Sequence, residues 1–465
     1  MKKPVTVITI FLIFAIFGVQ CTFFEREAKK DPVENSVLLD LDAIKKRGFI
    51  RAIVDNSSTS YYIYRGRRMG YEFEMLRNLA KELGVRLHLI VKSDIEEAFI
   101  SLNEGKADII AMNLEKTEER LKLMKFTKGL GEMSTVLVQN RRKNKIDRIE
   151  DLAERVIHVQ KGSVYKSQLC ALENPNALSF SIIEASEDKE SLIDKVLQNE
   201  IDFTVVDKNV ALVNATYHDE LDVSLEISEA SEVAWAIRKN SPELERAINE
   251  WIDQNNKSSN FDILYQKYFL NSKNSYFRNN SPFSSLAGNK ISEYDDLIKK
   301  GAETLGWDWR LLASLVYKES RFDTTATSYA GAVGLLQLMP VTLERFGVEN
   351  PNDPMESLMG GVNFLRYLDK FWRERVPETN ERIKFILASY NIGHGHVEDA
   401  WKLTRKYGKN TQTWNNVAHY LSLKSDPKFY RDPIVRSGFA KGHIAVSYVT
   451  DVMITYDSYR VLVNP

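Results

Sequence analysis

The sequence predicts a multi-domain chain, with an α/β part followed by a mostly α part. Three observations carry this expectation. From about Leu39 to Phe269 short apolar strands alternate with amphipathic helices. The stretch Asn271 to Lys290 is rich in turn formers and poor in aliphatic residues. Beyond Ile291 the apolar period is helical almost throughout. With 465 residues, 43% of them apolar, the chain can fill more than one core, which excludes a disordered protein.

The N-terminus reads as an export signal. Lys2 and Lys3 precede an uncharged stretch from Pro4 to Phe24, densest between Ile8 and Phe17. Its end, Gly18-Val19-Gln20-Cys21, resembles a bacterial lipoprotein processing site, although Gly18 and Gln20 depart from the preferred residues. The resemblance implies a signal over residues 1–21, an acylated Cys21 and a tether over 22–40. An uncleaved anchor is the alternative. Either way, everything after residue 24 lies outside the cytoplasmic membrane. No aspartate follows Cys21, so similarity to lipoprotein sorting implies the periplasmic face of the outer membrane.

Composition narrows the partners. The 63 Lys and Arg nearly cancel 64 Asp and Glu, so no overall field draws in nucleic acid. The two cysteines, Cys21 and Cys170, are too few for a disulfide framework or a Cys-ligated zinc.

In the α/β part, residues 41–270, the expected strands are Phe49–Val54, Arg86–Val91, Asp108–Met112, Thr135–Gln139, Val156–Gln160, Phe203–Val206 and Val233–Ile237, in largely parallel sheets. The expected helices are Glu72–Leu83, Ile95–Asn103, Lys189–Gln198 and Pro242–Gln254. In the first, Met75, Leu76, Leu79, Ala80 and Leu83 make one buried stripe. Residues 271–290 form the linker. Residues 291–465 should be helical, with helices at Tyr294–Leu305, Trp309–Ser320, Leu358–Trp372 and Glu381–Tyr390.

The helical part carries the candidate chemistry. Asp308 can cap a helix on which Leu311, Leu315 and Glu319 recur every four residues. Glu319 thus falls near a helix C-terminus at the edge of a core. Burial and the negative end of the helix dipole both disfavour its ionised form, as a general acid requires. A boundary glutamate paired with Lys318 or Arg321 is the plainer alternative. In the next stretch Gly331 and Gly334 let the backbone bend close to a ligand, and Gln337 offers donors and an acceptor. Later, Ile383, Ile386, Leu387 and Tyr390 share a helix face, and Asn391 and Gly393 can end that helix.

The order Glu319-Ser320, then Gly331-Ala-Val-Gly334-Leu-Leu-Gln337, then Ala388-Ser-Tyr390-Asn391 resembles the soluble lytic transglycosylase family, a lysozyme-like helical fold that cleaves peptidoglycan. The ending Tyr430 to Val449 is similar to its membrane-bound branch. The resemblance implies that Glu319 is the sole catalytic acid and base, acting on the MurNAc-GlcNAc β-1,4 bond to leave a 1,6-anhydro sugar. It implies that Ser320, Ser328, Gln337, Tyr390 and Asn391 bind the substrate strand. No cofactor or metal is required. His394, His396 and Glu398 follow the Tyr-Asn motif as a loop with no third ligand evident.

Residues 41–270 resemble the family 3 periplasmic solute-binding proteins, two lobes closing on a small ligand, with the second lobe at about 141–231. The matching segments are Gly70 to Val85, Ala107 to Ile110, Thr117 to Arg120, Gly162-Ser163 and Val205 to Asp207. The resemblance implies that Arg120 clamps a ligand carboxylate, Asp207 takes its ammonium and Ser163 adds a hydroxyl. Asn113 and Glu115 depart from the small hydroxyl residues usual in relatives. An amino acid or muropeptide is the expected ligand, and a regulatory role the expected use. Two further readings stay open: a hydrolytic muramidase with Asp323 as partner acid, and a receptor whose helical domain only binds glycan.

Overall fold

The computed structural model describes residues 37–143, 145–176, 178–270, 278, 281–286 and 288–464. The leader with Cys21 lies outside them, as do the first part of the tether and most of the linker. Among the described residues no helix is long and apolar enough to cross a membrane.

The first sheet gathers strands in the order β4-β1-β5-β13-β6, with β7 against β13. These are β1 (Phe49–Val54), β4 (Arg86–Val91), β5 (Ile109–Glu115), β6 (Lys125–Phe126), β7 (Gly131–Met133) and β13 (Ser231–Ile237). A hairpin of β2 (Tyr62–Tyr64) and β3 (Arg67–Met69) projects beside it. The second sheet has the order β10-β9-β11-β8-β12, from β8 (Thr135–Asn140), β9 (Val156–Gln160), β10 (Ser181–Ala185), β11 (Phe203–Asp207) and β12 (Leu221–Asp222). Neither sheet is wholly parallel. β13 runs antiparallel to β5, and β8 antiparallel to β11. The chain passes to the second sheet after β7 and returns at β13, so these strands enter reversed against the βαβ strands.

Helices α1 (Leu41–Arg47), α2 (Tyr71–Glu82), α3 (Ile95–Asn103), α4 (Glu118–Leu123), α5 (Tyr165–Asn176), α6 (Lys189–Leu197), α7 (Lys208–Ala215), α8 (Pro242–Lys257) and α9 (Asn260–Tyr265) connect or flank the sheets. Local sequence sets several starts. Asp94 accepts from Glu97 N at 3.0 Å, and Asp188 from Ser191 N at 2.8 Å.

The remainder is helical: α10 (Asp295–Leu305), α11 (Trp309–Ser320), α12 (Pro340–Arg345), α13 (Pro354–Trp372), α14 (Thr379–Ile392), α15 (His394–Lys406), α16 (Trp414–Ser422), α17 (Pro427–Tyr430) and α18 (Gly442–Leu462). The expected loop after Tyr390-Asn391 is instead α15. Gly393, at φ +91°, separates it from α14, and Val397, Ala400 and Leu403 bury one face of it. The 21-residue α18 packs on α11, α14 and α16 and also touches β2 and β4. At that seam the Tyr459 hydroxyl donates to Gly66 O at 2.7 Å, and Arg86 donates to Thr450 at 2.9 Å.

Candidate active site

Helix α11 is fixed at its N-terminal end. Asp308 accepts from Arg310 N at 2.9 Å, and the Arg310 guanidinium reaches Val463 O at 2.8 Å. Beyond that first turn Leu311, Leu312, Leu315 and Val316 are at most 2% exposed. Burial of each such side chain contributes roughly 1.5–3 kcal/mol, enough to hold the following turn in place. Glu319 stands in that last turn, partly buried. Tyr448 of α18 donates its hydroxyl to Glu319 Oε1. Burial pushes the Glu319 carboxyl up to about 7, against the smaller lowering effects of the Tyr448 hydroxyl and the Lys318 charge. The Lys318 ammonium itself is paired with Asp451 at 2.7 Å.

No second carboxylate figures among the groups acting on Glu319. Asp323 is exposed and caps a turn, accepting from Thr325 N at 2.8 Å and Thr325 Oγ1 at 2.7 Å. Those bonds hold its carboxyl below the usual range. One turn of chain therefore separates a carboxyl kept neutral from one kept ionised.

The loop after α11 opens with Arg321 and Phe322 in the left-handed region, φ +55° and +66°. Its glycine at 334 cannot be replaced without displacement, because a Cβ there would lie 2.3 Å from both Pro351 O and Ser357 Oγ. Gln337 also has positive φ, +45°, and its own side chain braces that conformation. Its Nε2 donates to Ala326 O at 2.8 Å and Gly334 O at 3.1 Å, and its Oε1 has no partner among the described residues. The Tyr390 hydroxyl donates to Leu336 O, next to Gln337. Burial, and then the Glu319 carboxylate, raise the Tyr390 hydroxyl well above its ordinary value. The same two causes raise Tyr448.

The structure thus gathers Glu319, Tyr390, Tyr448 and the Gln337 loop. Ser320 instead back-bonds to Val316 O at 3.3 Å, and Ser328 accepts Ala332 N at 2.9 Å, so both serve the backbone. Asn391 is exposed just before the end of α14. His394, His396 and Glu398 diverge. His394 packs on Phe371, His396 Nδ1 lies 3.2 Å from Lys424 Nζ, and Glu398 pairs with Lys402 at 3.3 Å. In the sequence Tyr448 stands out only as part of the ending Tyr430 to Val449. Its position six residues into a helix could not reveal a partner 129 residues away.

Between the two sheets lies a second cluster. Arg120 is buried and spans the cleft, donating to Glu115 O at 3.1 Å and Gly162 O at 3.3 Å. Ser163 Oγ donates to Gln160 O at 2.5 Å. Asp207 accepts from Tyr165 at 2.8 Å and from Lys189 Nζ at 2.9 Å, while the same ammonium lies 3.5 Å from Asp55. Burial pulls the Lys189 ammonium down, but Asp207, Tyr165 and Asp55 outweigh it and hold it well above its ordinary value. Glu115 accepts from Gln168 at 3.0 Å, and its charge is the first of those that offset the burial of Arg120. The Asn113 side chain lies outside the described set. Further bonds join the lobes, from Ser58 N to Glu190 at 2.9 Å and from Gln160 to Ser93 O at 2.8 Å. The cavity left is about 30 Å³, close to the share of one water. Lys189 was not foreseen; at a helix start, 18 residues from Asp207, it reads as a solvated charge.

Two family models match the chain. Bacterial extracellular solute-binding proteins, family 3, matches residues 50–271, and the Transglycosylase SLT domain matches residues 296–413. The chain is similar to proteins named membrane-bound lytic murein transglycosylase F. The one from Aeromonas salmonicida is 34% identical over 427 residues, 91% of this chain and 84% of the relative. The one from Desulfosudis oleivorans is 29% identical over 458 residues, 98% of each. Among solved structures, a mutant of ArgBP from T. maritima aligns with a TM-score of 0.45 at 21% identity, covering 50% of this chain and all of that one. With a relative above 30% identity matched over most of its length, the chain belongs to the membrane-bound lytic murein transglycosylase F family.

Proposed function

We propose that Glu319 is the single acid and base of a peptidoglycan lytic transglycosylase. The observation that carries this reading is a carboxyl raised to about 7 by burial, with no second carboxylate acting on it. In its neutral form Glu319 donates a proton to the oxygen joining MurNAc to GlcNAc, and that C–O bond breaks. The carboxylate then accepts the proton of the muramoyl C6 hydroxyl as its oxygen bonds to C1. The product is a 1,6-anhydro end, the proton count closes on one residue, and no water is consumed. A hydrolase of this kind needs a partner acid about 5–9.5 Å away. Asp323, tied into its turn by Thr325, argues against that alternative.

Tyr448 orients the Glu319 carboxyl. The free Gln337 Oε1 suits an N-acetyl N–H, and Tyr390 holds the loop that presents it. Ser320, Ser328 and Asn391 complete the strand-binding set, the two serines through the backbone they brace. Residues 291–465 are the catalytic domain, 271–290 the linker and 41–270 a ligand-sensing domain with Arg120, Ser163 and Asp207 in its cleft. Because Lys189 occupies Asp207 in the closed cleft, a ligand amine must displace it. Acylated Cys21 tethers the mature chain to the periplasmic face of the outer membrane.

The test is digestion of purified peptidoglycan by the mature chain and by Glu319→Gln, followed by weighing the muropeptides. Ends one water lighter than reducing ends are expected, with turnover lost in the variant. Reducing ends would overturn the reading. Cys21→Ala should release the chain from the membrane fraction.

A further inference from the structure

A cavity of about 610 Å³ lies where the β2–β3 hairpin meets the end of α11, and none of the chemistry above uses it. Six arginines line it: Arg65, Arg67, Arg68, Arg77, Arg278 and Arg321. No aspartate, glutamate or lysine does. The chain has 27 arginines and 36 lysines, so an all-arginine lining is a bias of residue type and not only of charge. In a chain whose net charge is −1, so many cations facing one space repel one another unless an anion joins them.

For four of the six, the described residues supply no such anion. Among the described residues Arg65, Arg67, Arg68 and Arg321 form no ion pair. Arg77 comes only to 4.0 Å of Glu74. The Glu74 carboxylate is already engaged, by Lys267 at 2.5 Å and Tyr268 at 2.6 Å. Aromatic faces hold several of the guanidinium groups in place. Arg65 lies 5.7 Å from the ring centres of Tyr64 and Phe283, and Arg68 and Arg77 lie 5.3 and 5.7 Å from that of Phe73. Planar guanidinium groups held in this way suit bidentate capture of carboxylates, which a lysine ammonium does not match.

The cavity also sits close to the reacting centre along the chain. Arg321 is two residues beyond Glu319. Thr455, another lining residue, is seven residues along α18 from Tyr448, about 10 Å at 1.5 Å per residue.

We propose that this cavity binds the carboxylate-bearing peptide stems of the peptidoglycan strand whose glycan is cut at Glu319. The proposal rests on the transglycosylase reading and adds the part of the substrate that reading leaves unplaced. Stems on sugars near the reacting bond enter the cavity, and the arginines take their carboxylates. The strand is thereby held by its peptides as well as its sugars, and glycan bare of peptide is the poorer substrate.

The experiment uses the full mature chain and the variant Arg67→Ser/Arg77→Ser. Both residues are exposed and neither belongs to the catalytic machinery. The substrates are intact peptidoglycan and the same strands stripped of stems by an amidase. The wild type should show a kcat/KM at least tenfold higher on intact strands. The variant should lose most of that preference while keeping the wild-type rate on stripped strands, and Arg67→Lys/Arg77→Lys should recover only part of it. An equal preference in wild type and variant, or none in the wild type, overturns the proposal. Absence of turnover on both substrates would instead strike the transglycosylase reading itself. Flotation with phosphatidylglycerol vesicles separates the other source of anions. If the variant loses vesicle binding but keeps the substrate preference, the arginines serve lipid headgroups and the proposal fails.

Discussion

Holding Glu319 neutral costs stability, and the cost has a sign and a pH window. A rise from 4.5 to about 7 corresponds to roughly 3 kcal/mol, at about 1.36 kcal/mol per unit. The folded carboxyl keeps its proton to about 7, whereas in the unfolded chain it releases it near 4.5. Between these values the native state binds more protons, so stability falls as pH rises. The contribution is complete below about 4.5 and lost above about 7. Glu319→Gln keeps the shape and can still accept from Tyr448, but it does not titrate. Relative to wild type, the variant should gain nothing between pH 4 and 7 except what the wild type loses, reaching roughly 3 kcal/mol near pH 8. For a domain of this size that is about 6–12 °C in melting temperature. Glu72, buried against Trp235 and also raised to about 7, titrates in the same window. Comparing the two proteins at each pH cancels its effect. Thermal unfolding at pH 4.5, 6 and 8 is the assay. A stability difference that does not change with pH, or a variant weaker than wild type at pH 8, would refute the reasoning.

Tyr448→Phe removes a hydrogen bond that lowers the Glu319 pKa, so the alkaline limb of the pH–rate profile should move up by about one unit, the worth of about 1.5 kcal/mol. An unmoved limb would show that the hydroxyl does not bear on the carboxyl. Lys189→Met leaves Asp55 and Asp207 without their shared cation and should destabilise the two-lobed part by about 3–5 kcal/mol. Millimolar L-alanine, which offers only an α-carboxylate and an α-ammonium, should then raise the melting temperature of the variant more than that of the wild type, and equal shifts would contradict the displacement of Lys189. Gly66→Ala puts a Cβ at φ +72° and 2.5 Å from the Phe322 ring, so the hairpin should withdraw from α11, read as faster proteolysis between residues 271 and 290. An unchanged cleavage rate would mean that the seam tolerates the side chain.

Elements whose signals are local were legible in the sequence. Strand Phe49–Val54 and helix Trp309–Ser320 have the bounds their patterns imply, the helix because Asp308 caps it and Leu311, Leu312, Leu315 and Val316 keep its period. Glycine misled at α15, where Gly393 and Gly395 hide a helix whose buried stripe begins only at Val397. The β2–β3 hairpin was invisible because three-residue strands carry too little alternation to register. In the site, Glu319 and Tyr390 could be read from the faces of their own helices. Tyr448 and Lys189 could not, since their roles lie in partners that only tertiary packing brings near. Ser328 illustrates a different limit: its hydroxyl accepts from Ala332 N and keeps its own proton to donate, and sequence does not show where a hydroxyl points.

One helix links the seam to the acid. α18 meets Glu319 through Tyr448 and, 11 residues further on, meets Gly66 of the hairpin through Tyr459. A packed helix of 21 residues transmits displacement better than it absorbs it, so a movement of the first lobe would reach Tyr448. Titration is nevertheless too weak to serve as the switch. With Glu319 at about 7, loss of the Tyr448 bond and a rise of one unit would increase the protonated fraction at pH 7 from about half to about nine-tenths, less than twofold. If the cleft regulates turnover, it must therefore act on geometry: on where α18 and the Arg321–Phe322 turn stand, and hence on whether a strand can lie against Glu319. A ligand that alters turnover should change kcat or KM at every pH by the same factor and leave the alkaline limb where it is. A shift of that limb with ligand would mean that the lobes act through the proton after all.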